Sequence, residues 1–452
     1  MAFRDDPLTQ QNVQPFVVRA YHLNDIRAAI EGVAGAAYLP WGRGNRVDTT
    51  TPIQAQALLD LRNAIGPGAT YNNQATVWGA LGVTNGGPML WAQSVPGSSV
   101  PNVVRATQID DLRRWFDTAQ TGSYQFPKVR PLIFGINPSW AAWQASPQYT
   151  DGAMMANIKA AGATCIRSGL DWKDIQPNGH GTAYVWDTYD ARVNLAQANG
   201  LLWVADVGTA PNWATGNTSG QMPPLGQYTA DFQAFVTAAA QRYAGKIRHY
   251  EFVNEPNGFG WVYPQGTTNI AKGQMYAPWL QLFFQAVKAV DSSAWVSTGG
   301  IDNVRTGNGL DFINGIYSVS GAKQYFDAVA AHPYDPNNGP MDTTGLQNLR
   351  TTMVNNGDTF KPIWITEYGW DVDANPQSIT PSTQQQYLQS ALNFLAAASE
   401  NYVTIATFQI IADIYGPGGV NTVMGLLDQY LDATARQDPA YGTFSSFAKP
   451  TT

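Results

Sequence analysis

From about residue 128 onward the chain alternates short apolar, β-branched runs with longer stretches of helical periodicity. PLIFGIN (131–137) precedes DGAMMANIKAAG, TCIRSGLDW (164–172) precedes WDTYDARVNLAQANG, and LLWVADVG (201–208) precedes TADFQAFVTAAAQRYAG. IRHYEFVNEPN (247–257), AWVSTGGI (294–301), FDAVAAHPYD (326–335) and KPIWITEYGW (361–370) are each followed by an amphipathic run, and VTIATFQIIAD (403–413) closes the series. Runs of this length read as strands and the stretches between them as helices. Strand–helix alternation predicts parallel strands joined by crossover helices. Eight such units predict an α/β fold, a closed (β/α)8 TIM barrel over residues 128–450.

The first part of the chain has a different pattern. VRAYHLNDIRAAI (18–30), IQAQALLDLRNAI (53–65) and VRATQIDDLRRWF (104–116) align without gaps. Each places apolar residues three and four apart, as on one helix face, and an acid two positions before an arginine. Residues 1–125 are therefore expected to form a small helical, loop-rich module. Its unequal repeat spacing is unlike a regular solenoid. It resembles short repeats found beside domains of bacterial and phage surface proteins. That implies a packing appendage, or a module for particle docking or homo-oligomer formation.

Composition narrows the partners. Charged residues make up 13% of the 452 positions, about half the usual share, and the net charge is −7. A weakly charged, acidic chain is a poor match for nucleic acid. Its surface suits neutral, hydroxyl-rich ligands. No run approaches the roughly eighteen apolar residues that a membrane span needs. The start, MAFRDDPLTQ, lacks the apolar segment of a secretory signal. An extracellular, virion-associated or cell-surface location is expected, with a cytoplasmic one left open. The single cysteine, Cys165, excludes an internal disulfide. The four histidines, at 22, 180, 249 and 332, have no metal-binding spacing. No phosphate-cradling or G-x-S-x-G motif occurs, so neither a metal nor a cofactor is expected.

In a barrel of this kind, chemistry belongs to the C-terminal strand ends. Glu255 ends the fourth strand run and Glu367 the seventh. These strands face each other across the mouth, so the two carboxylates can converge. A separation of about 5–5.5 Å suits retaining glycoside hydrolysis, and one of about 6.5–9.5 Å suits inversion. Glu251 shares strand parity with Glu255, about 13 Å deeper on a straight strand. It is expected to be a buried structural acid paired with an inward arginine.

VNEPN (253–257) and WITEYGW (364–370) resemble the two signatures of clan A glycoside hydrolases, in feel nearest the β-xylosidase/α-iduronidase-type and cellulase-type families. The resemblance covers about 128–448, ending in DPAYGTFSSF, which looks like the clan's last helix. It implies a retaining mechanism on a β-linked carbohydrate, with Glu255 as acid/base and Glu367 as nucleophile. It further implies that Asn254 binds a sugar hydroxyl and that Arg167, in IRSGLDW, keeps the nucleophile ionised. By the same resemblance, His332 faces the sugar, Tyr334 donates to the nucleophile, and Trp213, in TAPNWA, lies by the cleft. The chain departs from the clan at the eighth strand. TFQIIAD carries Phe408 and Gln409 where many members have a tryptophan. Trp172, Trp213, Trp261 and Trp370 are the candidates to stack on sugar in its place. A different class of function, a non-catalytic glycan-binding or structural component of a virion or surface filament, fits the same composition.

Overall fold

Each strand run forms a strand at the expected place. The computed structural model describes residues 132–140, 150–216, 221–292, 294–305, 307–358, 361–372, 379–397, 402–415, 421–427 and 439–448. The helical module expected at 1–125 lies outside the described residues. The barrel strands are β1 (Ile133–Ile136), β2 (Cys165–Gly169), β3 (Leu202–Val207), β4 (His249–Phe252), β5 (Trp295–Thr298), β6 (Ile301–Asp302), β7 (Val329–His332), β8 (Ile363–Tyr368) and β9 (Val403–Phe408). Their order in the sheet is β5-β4-β3-β2-β1-β9-β8-β7-β6, and neighbours are parallel. A parallel bridge between Ser297 and Ala328 joins β5 to the start of β7 and closes the ring. β5 and β6 are thus two halves of one fifth strand, and the architecture is a (β/α)8 barrel.

Long helices fill the crossovers, among them Asp151–Ala160, Asp187–Ala198, Thr229–Arg242, Asn269–Val290, Gly307–Ser318, Thr343–Asn355 and Pro381–Ala396. Several start on a side-chain cap of the kind that satisfies free first-turn amides. Thr150 accepts from Ala153 N, Thr268 from Ala271 N and Asp342 from Gly345 N. Thr380 accepts from Thr383 N ahead of Pro381, a residue suited to the first helical turn.

Alternate strand residues face the barrel axis. Cys165, Val204, Ala328, Ala330, Trp364 and Ile405 meet there in a buried apolar plug, with Ile133, Leu202 and Trp295 packed against it. Burial pushes the Cys165 thiol well above its ordinary range, which makes it inert packing. Two residues further along the same faces, the plug gives way to Arg167, Asp206, His332 and Thr407. The polar layer therefore sits on an apolar floor at the C-terminal end of the strands.

The break in the fifth strand has a steric cause. A Cβ on Gly300 would lie 2.1 Å from His332 Nε2, and one on Gly299 only 1.8 Å from the Val253 carbonyl oxygen. The Gly300 amide donates to Glu251 Oε1 at 3.0 Å in place of a strand partner. The ladder is given up so that a backbone donor can enter the polar layer. Gly299→Ala is therefore expected to lower stability by about 1–3 kcal/mol through overpacking against backbone atoms. Gly258→Ala, where the added Cβ meets nothing within 4 Å, should change it by less than about 0.5 kcal/mol. Urea titration of both variants checks the contrast.

Candidate active site

Glu255 reaches the mouth because the chain leaves β4 abruptly. Val253 (φ 66°) and Glu255 (φ 45°) both adopt left-handed backbone, which for β-branched Val253 is a true outlier. The Glu255 carbonyl then accepts from Gly258 N and Gly260 N, both at 3.0 Å. The 13 Å separation from Glu251 assumed a straight strand. The strand instead ends at Phe252, and the turn carries Glu255 back over the barrel.

Glu367 is aimed inward by a different device. Trp364 belongs to the interior plug, so simple alternation would turn Thr366 inward and Glu367 outward. The register slips between Ile365↔Ala406 and Tyr368↔Phe408, leaving one extra residue on β8. Such bulges re-aim side chains beside functional sites. Thr366 and Glu367 both end up in the polar layer.

Arg167 organises that layer. Its Nη1 donates to Glu367 Oε1 at 2.5 Å, and its Nη2 to Glu251 Oε1 at 2.8 Å and Asn254 Oδ1 at 2.7 Å. Asp206 Oδ2 lies 3.5 Å from Nη2. Glu251 is fully buried and paired with Arg167. Tyr334 donates to Glu367 Oε2 at 3.1 Å. Burial pushes the Glu367 carboxyl up, but the His332 and Arg167 charges and the hydrogen bonds from Tyr334 and Arg167 outweigh it. The net shift is downward, so Glu367 is held ionised.

His332 is not a sugar-facing residue. It is 0% exposed, with Nδ1 3.0 Å from Glu255 Oε1 and Nε2 3.1 Å from Thr366 Oγ1. Both ring nitrogens are occupied, so it positions Glu255. Burial works against its protonation, yet Glu367 and the hydrogen bond to Glu255 raise its pKa on balance. One oxygen each of Glu255 and Glu367 and a nitrogen of His332 lie within 4.8 Å of one another. Three such ligands could in principle hold an ion. The Arg167 guanidinium on Glu367 already supplies the positive charge and opposes a second cation. The group reads as a proton-handling pair.

The aromatic expectations need correction. Trp370 is 2% exposed, gives its indole N–H to Gly339 O at 2.8 Å, and packs on Tyr387 and Phe408. Trp172 and Trp261 are likewise buried. None of the three offers a face to a sugar. Trp213 is half-buried, its indole bonded to Gln176 O and its ring edge-on to Trp172 and Tyr228. On β9, Phe408 is buried and Gln409 turns to Asn137, whose Nδ2 reaches Gln409 Oε1 at 2.5 Å and Thr366 O at 3.2 Å. Sequence reading passed over Asp206 and Thr366. The inward series Leu202, Val204, Asp206 was the signal available for the first. The second needs the bulge.

A (β/α)8 barrel with two glutamates converging at its mouth is the fold of clan A glycoside hydrolases. The sequence matches the family model described as cellulase (glycosyl hydrolase family 5) over residues 125–410, and the chain belongs to that family. Solved structures similar to it include a family 39 glycoside hydrolase from the gut symbiont Bacteroides cellulosilyticus WH2 (TM-score 0.56, 19% identity, covering 71% of this chain and 64% of that one). A glucosidase from Croceicoccus marinus is similar at TM-score 0.53 and 17% identity, covering 71% of this chain and 67% of that one. A GH10 endoxylanase from a sugarcane soil metagenome is similar at TM-score 0.51 and 19% identity, covering 70% and 97%. At these identities the likeness establishes the barrel fold. The chain thus spans less than two thirds of the first of these relatives. No curated protein sequence matches the chain.

The electrostatics give a direct expectation. The Glu367 carboxyl should titrate below the ordinary glutamate value of about 4.3. Arg167→Lys, which replaces a planar fork with a point charge, should move it upward. Carboxyl-detected NMR titration of the two proteins checks both statements, with Glu367→Gln used to assign the signal.

Proposed function

We propose that the chain is a retaining glycoside hydrolase acting on β-linked oligo- or polysaccharide. The observation that carries this reading is the approach of Glu255 and Glu367 oxygens to within 4.8 Å, with only Glu367 anchored by Arg167 and Tyr334. Oxygens that approach this closely fit the carboxyl spacing of about 5–5.5 Å of a retaining pair better than the about 6.5–9.5 Å of an inverting one. In the first step Glu367 attacks the anomeric carbon while Glu255 gives its proton to the leaving oxygen. In the second, Glu255 takes a proton from water, and the resulting hydroxide equivalent displaces Glu367 from the anomeric carbon. Water and glycoside are consumed, and a sugar with its original configuration and a free alcohol leave.

The surrounding residues fit these roles. The Asn254 side-chain carbonyl is taken by Arg167, which leaves its amide N–H free to meet a sugar hydroxyl. Similarity to a glucosidase and an endoxylanase supports a carbohydrate substrate. Action outside the cell or on a particle surface, with residues 1–125 as the docking module, goes with this reading and rests on the low charge. A purely glycan-binding role has no use for a carboxylate held ionised against burial.

Glu367→Ala is expected to lower kcat by at least about 10³-fold on a chromogenic β-glycoside that the native protein cleaves. Proton NMR of fresh product should show the substrate's anomeric configuration. Undiminished turnover by Glu367→Ala, or an inverted product, would end this reading. Gel filtration of the active species tests the docking module.

A further inference from the structure

Three carboxylates converge on one guanidinium in the polar layer, and the hydrogen bonds do not go round. Asp206 stands in register with Glu251 on the neighbouring strand. It lies 3.5 Å from Arg167 Nη2, but both protons of that nitrogen already go to Glu251 Oε1 and Asn254 Oδ1. Asp206 Oδ1 and Glu251 Oε2 are both sealed from solvent, and among the described residues neither receives a hydrogen bond. Glu251 has no exposed surface and the Asp206 side chain is 15% exposed, so it is the sealed oxygens that an ionised pair would leave without a donor, at a cost. The two residues are in register on neighbouring strands, each with one orphan oxygen, and a single proton shared between the carboxyls supplies the donor that both lack.

We propose that Asp206 is a positioning residue that keeps its proton and directs it at Glu251 Oε2, so that Glu251 stays a singly charged brace on Arg167 and leaves Nη1 to hold Glu367. Its kinetic consequence rests on the reading of Glu367 as nucleophile. The proton location does not. Neutral Asp206 reduces three negative charges around one positive charge to two. It also gives Glu251 Oε2 a donor of its own, a third for the carboxylate beside the two from Arg167 and Gly300 N on Oε1.

The groups facing Asp206 come from several elements. They are Arg167 on β2, Asp171 in the loop after it, Glu251 on β4, Tyr276 in the helix after β4, and Glu367 on β8. The Asp206 carboxyl is pushed up to about 8 on balance: burial raises it most, Arg167 pulls it down, and Glu251, Asp171 and Glu367 push it up. The sign for stability follows. Between the unfolded value of about 3.9 and about 8, the folded chain holds a proton that the unfolded chain has lost. Stability is therefore withdrawn as pH rises through that window and is flat above it.

The test compares native protein, Asp206→Asn and Asp206→Ala in thermal melts across that window, and in kcat/KM profiles on a cleaved β-glycoside. Asparagine keeps a neutral donor and cannot titrate. The Tm of Asp206→Asn relative to native should rise steadily with pH and level off near pH 8. In kinetics, Asp206→Ala should lose about ten- to a hundredfold at pH 6 through misplacement of Arg167. Asp206→Asn should recover most of that loss and show a displaced alkaline limb. A Tm difference that does not change with pH, or an asparagine variant as impaired as alanine, overturns the proposal. If alanine prevents folding, the asparagine melts still decide it. If no glycoside is cleaved, the proposed activity falls while the melts judge Asp206 independently. A flat melt difference with hydrolysis intact removes Asp206 alone.

Discussion

The site depends on one buried cation. Arg167 leaves β2 and divides its guanidinium between Glu367 on β8, Glu251 on β4 and Asn254 in the turn after β4. Removing such a charge from water costs several kcal/mol, and that cost is recovered only where partners and hydrogen bonds are well placed. The same holds for Glu251, which has no exposed surface at all. Neither residue would be tolerated without the other. Their mutual requirement, with Glu367 on the same guanidinium, locks β2, β4 and β8 at one level of the barrel.

The two glutamates owe their different behaviour to their neighbours. Glu367 receives the arginine fork and a tyrosine hydroxyl, and its charge is stabilised against burial. Among the described residues, the Glu255 carboxylate has its hydrogen bond with the imidazole of His332. A carboxylate surrounded by donors suits attack, and one with a single adjustable partner suits proton exchange. The apolar plug below keeps water from entering through the floor.

Holding this arrangement imposes local strain. Val253 and Glu255 sit in left-handed backbone, at about 1–3 kcal/mol each. Gly299 and Gly260 pack so closely on this turn that a Cβ at either would lie 1.8 Å from a backbone oxygen. The fifth strand breaks at the same place and lends a backbone amide to Glu251. Tight packing thus holds the acid-bearing turn in a conformation its own residues disfavour.

The sequence by itself determined the barrel, because strand alternation and helical periodicity are local and each of the eight units carries its own signal. It also marked Glu255 and Glu367, since carboxylates at strand ends in an otherwise apolar series stand out, and the resemblance of its motifs to clan A added Arg167 and Tyr334. It could not show that Glu367 escapes its own alternation, because the bulge is a mismatch between β8 and β9 and belongs to neither strand alone. Nor could it show that His332 and Trp370 are buried, or that Asp206 Oδ1 has no donor among the described residues, since these follow from partners far away in the chain. Burial, register and the sharing of hydrogen bonds are properties of the packed barrel, and there the tertiary structure alone decided.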